Sequence, residues 1–128
     1  MTPGEAAHRL EFHTQPVPGS FLGMLRPYQS LDPAVLDDLL ATLHACADAF
    51  GLDPMPRALV SAVWTISCFG RAWALAPDGA LRRNGLLAEE DRQRIEACLD
   101  EFDWKIAMLL NDGQAIDRAM RDDGARGD

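Results

Sequence analysis

The run ALVSAVWTISCFG, residues 58–70, contains no charged side chain. A stretch this apolar is either the most buried helix of a soluble bundle or part of a membrane span. A span requires about 20 predominantly apolar residues. Here Arg57 precedes the run, Arg71 interrupts it ahead of Trp73 and Leu75, and Ser61, Thr65 and Ser67 dilute it. A bundle helix is therefore expected over about 55–76, started by Asp53, Pro54 and Pro56 and stopped by Pro77, Asp78 and Gly79.

At about 100° per residue this helix presents two unlike faces. Leu59, Val63, Ile66 and Trp73 form the core side. Arg57, Val60, Trp64, Ser67, Arg71 and Leu75 fall within roughly an 80° sector of the other side. Arg57 and Arg71 each stand seven residues from Trp64, so they can stack on the indole or rim it as a flat apolar anchor. Three helices do not cover both sides of one of them. The Trp64 side needs the segment 21–28, a further C-terminal helix or another chain.

Working outward, Asp32 and Pro33 read as an N-cap and a first helical proline. Leu36, Leu39, Leu40, Leu43, Ala47 and Phe50 then recur at three- and four-residue steps, with Asp37, Asp38 and Asp48 off that stripe. This gives a helix over about 33–50, with Gly51 as a left-handed C-cap. A third helix, about 88–111, carries Ile95, Leu99, Phe102, Ile106, Leu109 and Leu110 on one stripe. Glu90 with Arg94 and Glu101 with Lys105 support its solvated side. Between these helices, Leu81, Leu86 and Leu87 pin an ordered loop over 77–88.

Residues 1–30 hold Pro3, Gly4, Pro16, Pro18, Gly19, Gly23 and Pro27, too many breakers for a long helix. They read as an extended arm, loose over its first dozen residues and anchored by Phe21, Leu22, Met24, Leu25 and Tyr28. Gly113 is the expected cap of the third helix, Ala115, Ile116, Ala119 and Met120 suit a short fourth one, and 122–128 read as a flexible charged tail. The expectation is an all-α bundle of three main helices in a single domain over 1–121.

Composition sets the function classes. The chain has 128 residues, 48% of them hydrophobic, and can bury about two-thirds of its unfolded surface without a metal or disulfide. A formal charge of −8 argues against direct binding to a nucleic-acid backbone. Cys46, Cys68 and Cys98 are odd in number and widely spaced, and no basic stretch followed by an apolar one opens the chain, so a cytoplasmic protein with packing thiols is expected. Eleven Arg against the single Lys105, with abundant Ala and Asp, fit GC-rich bacterial coding. His44 and Cys46 lie about 200° apart on a helix, which does not suit a shared metal.

Catalytic signatures are missing. The chain has no GxxxxGK, GxGxxG, GxSxG or HExxH. Glu5 and His8 form one ExxH pair, and a di-iron site needs a second. His8, His13 and His44 have no Ser or Cys partner in view. Glu96, Asp100 and Asp103 read as a solvated helix face, and the terminal Arg126-Gly127-Asp128 is assigned no role. No catalytic residue, cofactor or metal is expected, and enzymatic activity is the less favoured reading.

Charge is unevenly spread. Residues 32–53 carry Asp32, Asp37, Asp38, Asp48 and Asp53 with no Lys or Arg, and 89–112 are acidic as well, whereas 54–88 set Arg57, Arg71, Arg82 and Arg83 against Asp78. These arginines either pair with the flanking acidic helices or form a patch for an anion or an acidic partner. Three functions follow. The first is a protein–protein interaction module, such as an immunity-type inhibitor or an adaptor, that contacts a basic partner protein or a second copy through Arg57, Trp64, Arg71, Arg82 and Arg83. The second is a sensor or enzyme for a small anionic molecule, with a pocket under the arm served by Arg71, Arg82 or Arg83. The third is a structural subunit of a larger assembly. A membrane is not among the expected partners.

Overall fold

The computed structural model describes residues 2–52 and 54–111. Helix α1, Pro3–Phe12, opens on a capping box: Thr2 Oγ1 accepts from the Glu5 N–H at 3.1 Å, and the Glu5 carboxylate accepts from the Thr2 N–H at 3.1 Å. Pro3 takes the first helical position, where its missing N–H costs nothing. A second, short helix, α2, Phe21–Leu25, is capped by the Ser20 hydroxyl. The extended arm is thus corrected to two helices. Pro3 and Gly4 occupy the first turn of α1, Pro16, Pro18 and Gly19, with φ 85°, lie in the connection, Gly23 falls inside α2 and Pro27 follows it, so the segment 5–12 has no breaker. Gly23 is required by space, because a Cβ there would stand 2.0 Å from the Val17 carbonyl oxygen. Far from being loose, this region places Ala6, Leu10, Phe21, Leu22 and Leu25 in the core.

His13 ties these two helices to the next. Its ring is fully buried, with Nδ1 accepting from the Phe21 N–H at 3.0 Å and Nε2 lying 2.8 Å from Asp38 Oδ2. A backbone N–H can only donate, so Nδ1 is bare and the proton resides on Nε2, which donates to the carboxylate. Arg9 donates to both oxygens of Asp38 at 3.2 Å.

Helix α3, Pro33–Ala45, starts as expected, with Asp32 accepting from the Ala34 N–H at 3.0 Å. It stops at Cys46, and a separate turn, α4, Ala47–Phe50, follows. Gly51 closes it with φ −86°, so the expected left-handed cap is not formed. Helix α5, Arg57–Gly70, runs into a wider π-helical turn, Arg71–Leu75, in which the Ala76 N–H donates to the Arg71 carbonyl at 2.9 Å. A short α6, Ala80–Arg83, replaces the expected loop and buries Leu81. The long α7, Glu89–Leu110, completes the described chain. Gly113, the expected fourth helix and the charged tail lie outside the described residues.

Among the described residues the packing uses four longer helices where three were expected, the additional one being α1. Both α1 and α7 pack against α3 and against α5, so α3 and α5 occupy opposite corners of the arrangement. The core between them contains Leu10, Phe21, Leu39, Leu43, Leu59, Ile66, Ile95, Leu99 and Phe102. Leu59, Val63 and Ile66 therefore face inward as expected, while Trp73 is half-buried. A helix at a corner has one side turned out to solvent. For α5 that is the Trp64 side.

Candidate functional face of the corner helix

Trp64 is 73% exposed and Val60 is 49% exposed, with exposed Cys68 on the next turn. Segment 21–28 does not cover them, because α2 lies on the opposite side of α5. There the Phe21 ring is pressed so close to Gly70 that a Cβ on that glycine would be 2.9 Å from it. Cys68, expected to be a packing thiol, is instead on the surface. Cys46 and Cys98 are buried, and burial pushes their thiols up to about 11 and about 12, out of the range of reactive thiolates.

The arginines around this face have different employments. Arg71 reaches α7, donating to Asp103 Oδ2 at 2.7 Å and to Asp100 Oδ1 at 3.0 Å. Burial works against its charge, but these two carboxylates outweigh that and hold it protonated. Arg82 Nη1 donates to the Leu75 carbonyl at 3.1 Å and closes the end of the π-helical turn. Arg57 and Arg83 are exposed and have no carboxylate within ion-pair distance among the described residues. The Arg-rich middle does not converge on one point: Arg57 and Arg71 are separated by roughly 21 Å of helix rise. Among the described residues nothing stacks on the Trp64 indole, and the guanidiniums that lie over aromatic rings are those of Arg9, on Phe12, and Arg26, on Trp73.

A second feature was not anticipated in its residues. Leu25, Pro27, Tyr28, Trp73, Leu81 and Leu86 line an apolar groove of about 310 Å³ between the end of α2 and α6. Arg26 borders it, 5.4 Å from the Trp73 ring centroid, and the Tyr28 hydroxyl donates to Asp91 at 3.0 Å. Burial, and then that hydrogen bond, push the phenol up to about 12. Arg71, Arg82 and Arg83 are not in its lining. The sequence signal for it is the cluster Arg26-Pro27-Tyr28, of which the arm reading used Pro27 as a breaker and Tyr28 as an anchor and left Arg26 unread.

Other chemistry is sparse. No group of three or more His, Cys, Asp or Glu side chains suited to a metal ion occurs among the described residues. On α7, Arg92 lies between Glu89 and Glu96, Arg94 is 3.7 Å from Glu90, and Lys105 is 3.5 Å from Glu101, the solvated pairing expected of that helix. By length and composition alone the stretch Arg57–Arg83 passes for a membrane-spanning helix, but in the fold it is divided into α5, the π-helical turn and α6, and its Leu59, Ala62 and Ile66 are buried. No family model, curated protein or solved structure matches the chain.

Proposed function

We propose that this protein is a small acidic interaction module that binds another protein through the outward face of α5. One observation carries the reading: an indole 73% exposed, on the helix whose other side forms the core. Large aromatic side chains flanked by arginine make up the residues that dominate binding energy at protein interfaces, and leaving one in water is costly unless a partner covers it. Arg57 adds an exposed cation at one end of that face, and the acidic helices α3 and α7 add long-range steering toward a basic partner. An immunity-type inhibitor or an adaptor of a bacterial cytoplasm fits these features, as does a subunit of a larger assembly.

The test is affinity purification from the native host, with wild type and Trp64→Glu as paired baits. Partner proteins retained by the first and lost by the second, with both baits folded by circular dichroism, are the expected result. Identical sets of retained proteins sink the reading.

The groove beside Trp73 favours a second reading, a sensor or enzyme for a small molecule with an apolar body and an anionic end. Its volume, about 310 Å³, lies at the small end of ligand pockets, and Arg26 supplies the cation. Arg26, in place of Arg71, Arg82 and Arg83, then becomes the residue to replace. Tryptophan fluorescence that responds to medium-chain carboxylates in wild type and not in Arg26→Ala supports it, and no response to any of them removes it.

A further inference from the structure

The outward face of α5 reads the same in both directions from Trp64. Ser61 and Ser67 stand three residues to either side, Val60 and Cys68 four, and Arg57 and Arg71 seven. Val60, Trp64 and Cys68, the central part of that pattern, are all exposed. In an antiparallel pair of helices crossed by a two-fold axis at residue 64, position 57 faces 71 of the partner, 60 faces 68, 61 faces 67 and 64 faces itself. Each facing pair then joins like with like: serine with serine, a small apolar side chain with a small apolar thiol, indole with indole. The small residues at three and four positions from the axis leave room for the two indoles between the helices.

The outer pair, Arg57 against Arg71, at first looks repulsive, and the fold removes that objection. Arg71 is held by Asp100 and Asp103, with Asp100 itself 61% exposed, so one cation and two carboxylates leave that corner with a net negative charge. Arg57 has no carboxylate within ion-pair distance among the described residues. The two ends of the face are therefore complementary in charge when one helix is turned end for end against another, and the two-fold axis makes that contact twice.

We propose that the partner for this face is a second copy of the chain, paired antiparallel through α5 about Trp64 with Arg57 of each copy on the Asp100 and Asp103 carboxylates of the other. This rests on the reading of the α5 face as a protein interface.

Sedimentation velocity from nanomolar to high micromolar concentration, combined with oxidative cross-linking, tests it. Wild type is expected to dimerise, Trp64→Glu to remain monomeric and folded, and Arg57→Glu to weaken the dimer by about tenfold or more. Under oxidation Val60→Cys is expected to give a covalent dimer through native Cys68 of the other copy. Wild type gives none, because two Cys68 residues would be about 12 Å apart along the antiparallel pair, beyond disulfide reach. Val60→Cys combined with Cys68→Ser gives none for the same reason. Ready cross-linking of wild type, or of that double variant, overturns the antiparallel register. A wild type monomeric at every concentration overturns self-pairing and leaves the face to a different protein, which the paired-bait purification decides. A dimer that survives Trp64→Glu is formed through another surface and overturns this proposal, while the interface reading beneath it falls only if the paired baits retain identical sets of proteins.

Discussion

The N-terminal 30 residues and helix α5 make opposite use of their apolar side chains. The first region is interrupted by seven prolines and glycines, yet Leu10, Phe21 and Leu25 are essentially inaccessible to solvent. The second contains a charge-free run, yet leaves Val60, Trp64 and Phe69 between 45% and 73% exposed. Apolar density along the chain therefore does not measure burial. Direction in the packing does: the apolar side chains of the first region point into the space between α3 and α5, whereas those of α5 are spread over its outward side as well as its inward one. A corner helix richer in apolar residues than its inward side needs has surface left for a partner.

Substitutions that cut into each region sharpen the contrast. Phe21→Ala should have the largest effect, removing a ring packed on Gly70 and costing about 3–5 kcal/mol in chemical denaturation. A loss below about 1 kcal/mol would mean that the N-terminal region is the loose arm its breakers suggest. His13→Ala comes next, at about 1–3 kcal/mol, since it leaves the Phe21 N–H without its partner and Asp38 with Arg9 as its remaining donor.

The same histidine sets an acid dependence. Burial is the largest influence on it and, despite the neighbouring Asp38, holds its pKa below the ordinary 6.5. A group depressed in this way favours the folded state while neutral, so its stabilisation is complete above pH 6.5 and lost as pH falls through the folded value. Burial alone would raise Asp38, but the hydrogen bonds from His13 and Arg9 outweigh it, and its own contribution is lost only below the ordinary 3.8. Thermal melts should show a first decline below pH 6.5 that His13→Ala abolishes; an unchanged decline in the mutant would assign it elsewhere.

Thr2→Ala is expected to cost about 1 kcal/mol by removing one half of the capping box. The smallest effect belongs to the other region. Trp64→Ala should change monomer stability by no more than about 0.5 kcal/mol, measured where the chain does not self-associate. A loss of several kcal/mol would show that the indole is part of the core and would end the contrast.

Period and caps made α3, α5 and α7 legible in the sequence, because each has a continuous apolar stripe and a recognisable start or stop. Helix α1 was legible too, but through Thr2-Pro3-Gly4-Glu5 taken together as a capping box with proline at the first position, not through a count of breakers. The break at Cys46 and the π-helical turn at Arg71–Leu75 interrupt good helical sequences and have no local marker. The contact of His13 with Asp38 spans 25 residues, so no spacing rule reaches it. For the candidate face, the outward direction of Trp64 followed from the 3.6-residue period alone. That Arg71 would turn to Asp100 and Asp103 depended on which side of α5 received α7, which only the assembled helices decide.

The bare Nδ1 of His13 gives the molecule an internal spectroscopic reporter. A neutral histidine in water exchanges between two tautomers, and its two ring nitrogens show averaged resonances. In this fold Nδ1 accepts from the Phe21 amide and Nε2 faces a carboxylate, so one tautomer is fixed and the two nitrogens should be widely separated in a ¹⁵N spectrum. Because the two partners come from α2 and α3 and the ring follows α1, that single pair of signals follows the assembly of three helices at once.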